Sequence, residues 1–102
     1  MVTIGGVAYR VDGLVTGVVG MEGYVAMSTG KGVYIVRLAN RRMDRFDVQE
    51  CIDMKWTQDG LYYLQSSGQV GLLQRQTTFI PTLNTFTQLT LPTPSPPFSQ
   101  NS

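Results

Sequence analysis

The stretch GYVAMSTGKGVYIVRL, residues 23–38, is the part of this chain that decides its fold class. Two apolar runs, Tyr24–Ser28 and Val33–Leu38, flank the small and Gly-rich link Thr29–Gly32. Glycines in such a link allow the positive φ that a tight hairpin turn needs. Residues 23–38 therefore predict an antiparallel β-hairpin.

Turn signals of the same kind recur along the chain and separate further short apolar runs. The turn signals are Asp12-Gly13, Met21-Glu22-Gly23, Gln58-Asp59-Gly60 and Ser66-Ser67-Gly68. The runs between them predict additional strands at Val7–Val11, Leu14–Val19, Leu61–Gln65 and Gln69–Gln74. No window keeps the 3.6-residue apolar stripe that a long helix shows. We therefore expect an all-β protein, a small antiparallel barrel or sandwich built as a meander of short hairpins.

Residues 39–57 do not follow this pattern. Ala39–Arg45 fits either a short helical turn or a charged loop. From Phe46 to Trp56 apolar and polar side chains alternate, which predicts one half-buried strand with Glu50 as the polar exception and Cys51 on the polar side. The predicted core of the whole chain comprises Val25 or Met27, Val36, Phe46, Val48, Ile52, Met54, Trp56, Leu64 and Leu72.

The hairpin at residues 23–38 has a weak echo in GLYYLQSSGQVGLLQR, residues 60–75. Both segments contain a glycine, an apolar run, a turn of small residues, and a second apolar run that begins at a valine. Few identities support the alignment, so a true repeat and two unrelated hairpins both remain open.

The longer segment IDMKWTQDGLYYLQSSGQVGLL, residues 52–73, resembles a β-propeller blade of the WD40 or YVTN type. Residues 23–38 resemble the same hairpin of such a blade. Two blades cannot close a ring, because propellers need at least ~4 blades. The resemblance therefore implies two-blade subunits that assemble into a larger ring, as in small lectins with sugar sites between blades.

The composition of the chain changes after Arg75. Residues 76–102, QTTFIPTLNTFTQLTLPTPSPPFSQNS, contain all 5 prolines and no charged side chain. A Pro/Thr-rich segment with few large apolar side chains cannot close a core of its own. We therefore divide the chain into a β body, residues 1–75, and an extended C-terminal arm, residues 76–102, that lies along a partner protein.

Within the arm, Thr85–Leu91 alternates well enough to add a strand to a neighbouring sheet, and Pro92–Pro97 is typical of polyproline II. The predicted anchors of the arm are its large apolar side chains Phe79, Phe86, Leu89, Leu91 and Phe98.

The body has two further candidate contacts with a partner. Arg41, Arg42 and Arg45 form the local basic cluster, which suits phosphate groups, an acidic partner surface or a solvated loop. Tyr62 and Tyr63 are adjacent, so a strand points them to opposite faces and only one of them can face a common core. We take Tyr62 as the ring that contacts a partner.

Catalytic chemistry has little support in this sequence. There is no histidine, and Cys51 is the only cysteine, so the commonest general base and the usual activator of a thiol are missing. Asp44, Asp47, Glu50 and Asp53 would share a face only on a helix. We therefore predict no catalytic residue, no metal site and no cofactor, and expect a protein that is not an enzyme.

The charge and size of the chain also restrict its partners. The net charge of +1 supplies no field that attracts nucleic acid or an anionic membrane. The longest apolar stretch, Gly13–Met21, is too short to cross a bilayer, and residues 1–13 lack the pattern of a signal peptide. We expect a cytoplasmic protein, or a component of a virion assembled in the host cytoplasm.

A body of about 75 residues is marginally stable alone, and one cysteine cannot form an internal disulfide, so we expect a homo-oligomer. These observations favour a non-enzymatic assembly protein whose arm binds a neighbouring protein. It has a general likeness to small phage head, neck, tail or decoration proteins. The alternative is the oligomeric lectin-like module that the propeller resemblance implies.

Overall fold

The structure is a computed structural model that describes residues 1–76 and 85–91. Its regular elements within those ranges are all β-strands: β1 (Val2–Ile4), β2 (Val7–Tyr9), β3 (Gly17–Met21), β4 (Tyr24–Ser28), β5 (Val33–Arg37), β6 (Arg42–Phe46), β7 (Cys51–Thr57), β8 (Gly60–Gln65), β9 (Val70–Gln76) and β10 (Thr85–Leu91).

The strands pair in chain order to form three antiparallel sheets. β1 and β2 make an N-terminal hairpin, β3–β6 make a first meander, and β7–β10 make a second meander. The all-β antiparallel fold predicted from the turn signals is thus confirmed, and the described residues contain no helix.

The two meanders pack against each other around a shared apolar cluster. The first meander contributes Tyr24, Ala26, Val33 and Ile35, and the second contributes Cys51, Met54, Leu61, Tyr63, Leu73 and Phe86. At one end, the ring centroid of Phe86 lies 5.4 Å from that of Tyr24 and 6.0 Å from that of Trp56. Trp56 Nε1 donates a hydrogen bond of 3.1 Å to the Val19 carbonyl oxygen, which joins β7 to β3.

The N-terminal hairpin covers the other face of the first meander. Tyr9 packs there with Met27, Tyr34 and Val36 in a second apolar cluster. The hairpin is also held by hydrogen bonds, because the Tyr9 hydroxyl donates to the Arg41 carbonyl oxygen at 2.9 Å. The first meander is therefore packed on both of its faces.

The core predicted from the sequence is correct in part. Met27, Val36, Val48, Met54 and Leu72 are buried, and Val25, Phe46, Trp56 and Leu64 are half-buried. The prediction for Ile52 is wrong, since 63% of its surface is exposed.

The error at Ile52 has a local cause. The expected single strand from Phe46 to Trp56 is divided by a turn in which Glu50 has a φ of 50°. The register of β7 against β8 then shifts between Cys51 and Asp53, as in a β-bulge. One extra residue reverses the alternation, so Cys51 points inward and Ile52 points to solvent.

Residues 39–45 match the predicted alternatives only in their first part. The Arg41 N–H donates a hydrogen bond of 2.8 Å to the Arg37 carbonyl oxygen, which closes a single turn with the spacing of a helix, and Arg41 has a φ of 61°. β6 begins at Arg42, so the remaining charged residues lie in a strand. β6 pairs with β5 from Arg37 opposite Arg42 to Val33 opposite Phe46. Pairing with a buried apolar strand thus prevails over the local charge pattern.

The two similar hairpins share their topology but not their register. Ser28 lies opposite Val33 in the first hairpin, whereas Leu64 lies opposite Val70 in the second. The link in the second hairpin is therefore one residue longer, and a shift of one residue moves a side chain to the other face. Val33 consequently points into the shared cluster, while Val70 points away from it.

Candidate interaction surface

The second meander has apolar side chains on both of its faces, and those of one face, the inner face, belong to the shared cluster. The register places side chains of β8, β9 and β10 opposite one another in two rows on the remaining face. We name this surface the outer face, and it consists of Tyr62, Leu72 and Leu89 in one row and Leu64, Val70 and Leu91 in the next.

None of these six side chains belongs to either apolar cluster. The N-terminal hairpin packs on the first meander, and the first meander packs on the inner face of the second. No described strand is left to cover the outer face. Its centre is nevertheless well packed, because Val70 and Leu72 are 2% and 5% exposed while the four flanking side chains are half-buried.

Polar side chains border the outer face. On β7, Asp53 lies opposite Leu64 and Lys55 lies opposite Tyr62, and both charged side chains are exposed. On β10, the exposed Thr87 lies on the same face. An apolar centre with a polar rim is the usual composition of a protein–protein interface.

The structure brings together three of the predicted partner-binding residues. Tyr62, Leu89 and Leu91 lie on the outer face. Tyr62 is on β8 and the two leucines are on β10, with β9 between them. The adjacent Tyr63 points the other way and is buried in the shared cluster. The expectation that Tyr62 and Tyr63 face opposite sides is therefore confirmed.

Phe86 does not join them. The strand expected to extend a neighbour's sheet, Thr85–Leu91, instead pairs with Val70–Gln76 of the same chain. Phe86 then lies on the inner face, 9% exposed, in the shared cluster. Because the link between the two strands is short, bringing them together loses less entropy than binding a strand of a second molecule. The remaining predicted anchors, Phe79 and Phe98, and the segment Pro92–Pro97 lie outside the described residues.

The basic cluster is not a single surface. Arg41 lies in the turn before β6, while Arg42 and Arg45 are three apart on β6 and so point to opposite faces. Arg45 Cζ lies 5.9 Å from the ring centroid of Tyr34, and Arg45 Nη2 lies 3.9 Å from Asp12 Oδ2. The three arginines are exposed but do not converge on one partner site.

Sequence reasoning missed that Leu64, Val70 and Leu72 belong to the same surface as Tyr62. Leu64 and Leu72 were predicted as core residues, and both do lie against apolar neighbours, but on the outer face. A signal was present, because GLYYLQ is apolar at both odd and even positions. A strand of that kind has apolar side chains on both faces and needs cover on each.

Three side chains considered for catalytic chemistry, Cys51, Asp44 and Glu50, make structural contacts. Burial raises the pKa of the Cys51 thiol, which donates a hydrogen bond of 3.3 Å to the Asp53 carbonyl oxygen. Asp44 Oδ2 lies 2.5 Å from Arg37 Nη2, and the Glu50 carboxylate accepts a hydrogen bond from the Ser66 hydroxyl. In the described ranges, no three metal-binding side chains are grouped to hold an ion.

Within residues 1–76 and 85–91 there is also no helix with the length and hydrophobicity to cross a membrane. No family model matches this chain, and neither a curated protein nor a solved structure matches it.

Proposed function

We propose that this chain is a non-enzymatic assembly subunit that binds a neighbouring protein through its outer face. The observation that carries the proposal is a face with six apolar side chains that no described strand covers. Four of the six are half-buried, and partly exposed apolar side chains grouped on one face commonly mark a contact with another molecule. Tyrosine is enriched among the residues that dominate binding, and Tyr62 lies beside Leu72, one of the two central side chains of the surface.

The charges at the rim support a contact that is largely apolar. Asp53 and Lys55 are of opposite sign and adjacent on the same face, so the rim adds no net charge. The four half-buried side chains would each gain about 25 cal/mol for every Å² of apolar surface removed from water. Association through this face should therefore vary little with salt concentration, because screening weakens only interactions between charges.

Among assembly proteins, we place this chain with the small head, neck, tail and decoration subunits of phage particles. The support is its general likeness to them in size, β-structure and the uncharged Thr/Pro-rich composition of residues 76–102. In this proposal, residues 92–102 add a second contact with the neighbouring subunit, with Phe98 as an anchor.

The test of the outer face is the double substitution Tyr62→Lys and Leu64→Lys. Both side chains are half-buried in the described structure, so the variant should fold, with an unchanged circular dichroism spectrum. Two ammonium groups on the face would have to be desolvated on binding, which opposes association. Sedimentation velocity should show an oligomer for the natural chain and a smaller species for the variant at the same concentration.

The matched control is Thr3→Lys with Ala8→Lys. These two exposed residues lie directly opposite each other on the N-terminal hairpin, away from the outer face. The control should sediment like the natural chain. A folded Tyr62/Leu64 variant with undiminished assembly would contradict the proposal. A chain ending at Leu91 isolates the contribution of residues 92–102, and we expect it to assemble more weakly.

A lectin-like module is the second candidate, because each meander has the four antiparallel strands of a propeller blade. The first strands of the two meanders, β3 and β7, also lie side by side and are joined through Trp56 and Val19. We expect several copies to form a ring with sugar sites between blades if this function applies. A glycan array separates the candidates, since selective binding of one glycan by the purified oligomer favours the lectin.

A further inference from the structure

The two meanders have four edge strands, and three of them are protected against pairing with another chain. An edge strand presents unpaired backbone N–H and C=O groups, which proteins shield with charges, bulges or neighbouring elements. β6 carries Arg42, Asp44 and Arg45, and β7 carries Asp53, Lys55 and a register shift. β3 lies against β7, where Trp56 Nε1 binds the Val19 carbonyl oxygen.

The fourth edge, β10, has none of these protections among the described residues. Its sequence TFTQLTL contains no charged residue, no proline and no glycine. All seven residues pair with β9 in a regular register without a bulge. No described strand pairs with its other side. A regular, uncharged edge rich in threonine and apolar residues is a template for adding a strand.

The side chain of Gln88, at the middle of β10, leaves this edge open. Gln88 Nε2 donates hydrogen bonds of 3.2 Å to the Asp47 carbonyl oxygen and 3.2 Å to the Tyr63 hydroxyl oxygen. Tyr63 lies on the inner side of the second meander, and Asp47 lies in the link between β6 and β7. The amide is thus held toward its own chain and does not satisfy the outward backbone groups of β10.

We infer that β10 pairs antiparallel with β10 of a second copy of this chain, about a two-fold axis at Gln88. This inference deepens the proposed function and rests on it, since it names the neighbour that the subunit binds at this edge. In that register Thr87 lies opposite Leu89 of the second copy, and Thr85 lies opposite Leu91 of the second copy. Residues of the same parity are paired, so each copy keeps Phe86 on the inner face.

Self-complementarity favours a second copy over an unrelated strand. An isologous contact uses the same surface on both subunits, and β10 has no charge that would repel its own copy. Leu89 and Leu91 of both copies then lie on one side of a sheet with eight strands from the two second meanders. The two outer faces merge into one apolar surface, which a protein contact of ordinary size can use.

The test exploits Thr87, which is exposed and lies one residue from the proposed axis. The two copies of Thr87 become diagonal neighbours, about 7–8 Å apart, and long side chains at such positions interact. Thr87→Lys alone and Thr87→Glu alone each place like charges across the axis. We expect each variant to sediment as a species half the size of the species that an equimolar mixture forms.

The mixture supplies the specificity of the experiment, because opposite charges at residue 87 restore association only where two copies bring residue 87 next to itself. Native mass spectrometry should show one Thr87→Lys chain with one Thr87→Glu chain in the restored species. The control mixture of Thr3→Lys and Thr3→Glu should behave like the natural chain at every step. Undiminished self-association of either single Thr87 variant, or no restoration on mixing, would overturn the inference.

The outer-face variant distinguishes this failure from a failure of the proposed function. Tyr62 and Leu64 lie on β8, two strands from the β10 edge. Their lysine variant should still form the β10-paired dimer while losing any larger assembly. If this variant loses the larger assembly and also forms no β10-paired dimer, the inference about the β10 edge is refuted. The outer face then remains as the contact between subunits. In the opposite outcome, the β10-paired dimer forms and the outer-face variant assembles further in the same way as the natural chain. That result supports pairing at the β10 edge and refutes the proposed function of the outer face.

Discussion

Replacing Phe86 with alanine should lower the free energy of unfolding by about 3–5 kcal/mol, as large-to-small substitutions in cores do. The side chain is 9% exposed, and its ring makes edge contacts with Tyr24 and Phe46 as well as a tilted contact with Trp56. Removal would leave a cavity between the two meanders at the position where three aromatic rings meet. Urea unfolding followed by tryptophan fluorescence measures the effect, because Trp56 is the only tryptophan.

Thr85→Ala and Thr87→Ala are the matched controls for Phe86→Ala. Both threonines are exposed and belong to the same strand, so their substitution should change stability by less than about 0.5 kcal/mol. An unchanged midpoint for Phe86→Ala combined with weaker assembly would show that Phe86 occupies a pocket of a neighbour. That result would restore the arm binding that its composition suggested and would remove β10 from this chain's own sheet.

Gly60→Ala should be the second substitution with a severe effect. Gly60 has a φ of 140°, a region that residues with a side chain rarely adopt. A Cβ there would lie 2.1 Å from the Leu73 carbonyl oxygen and 3.0 Å from the Arg75 backbone nitrogen. Since both atoms belong to the backbone of β9, relief requires β8 and β9 to separate. We expect a loss of roughly 3 kcal/mol or more, from the backbone strain and the displaced pairing together.

Gly68→Ala provides the comparison for Gly60→Ala. Gly68 also lies in a turn of the second meander, with a φ of 94°, but its Cβ would meet no atom within 4 Å. Only the cost of the left-handed conformation applies there, about 1–2 kcal/mol. Thermal melts of the two variants should differ clearly. Equal melting temperatures would mean that β8 and β9 do not approach each other as closely as the structure has them at Gly60.

Local turn chemistry explains why the fold class was accessible from the sequence. Gln58-Asp59-Gly60 and Ser66-Ser67-Gly68 mark the starts of β8 and β9 to within one residue of the expected place, whereas β3 begins at Gly17, three residues after the start expected from Asp12-Gly13. Glycine marks these positions because φ is positive at Gly13, Gly60 and Gly68. The positions of the hairpins therefore follow from short-range steric preferences, which a single sequence contains.

Which face of a sheet each side chain occupies was harder to predict from the sequence, because it depends on register shifts of a single residue. The bulge at Cys51 and Asp53 reversed the predicted burial of Ile52, and the longer link before Val70 reversed its facing relative to Val33. Neither shift has a strong local signal. The charged segment around Arg42 became a strand because β5 provides a partner, and pairing between strands is a tertiary interaction that propensity does not contain.

The candidate site was likewise predictable in part: its residues could be chosen from the sequence, but their positions relative to one another could not. Tyr62, Leu89 and Leu91 could be selected from the sequence as side chains that bind a partner. Their meeting on one surface depends on the pairing of β9 with β10, and the composition of residues 76–102 instead suggested an arm separate from the body. Phe86 was selected by the same reasoning, but its even position in the strand directs it to the opposite face.

The order of the strands has a consequence for the rate of folding. Within each sheet every strand pairs with its nearest neighbour in the chain, and the longest link inside a sheet is residues 77–84. Small domains whose contacts are close in sequence reach the native state faster than β-proteins built from distant pairings. This chain should accordingly fold quickly for an all-β protein. Each meander can form its own hairpins before the two sheets meet, so the step that fixes the shared cluster is the docking of two nearly finished sheets.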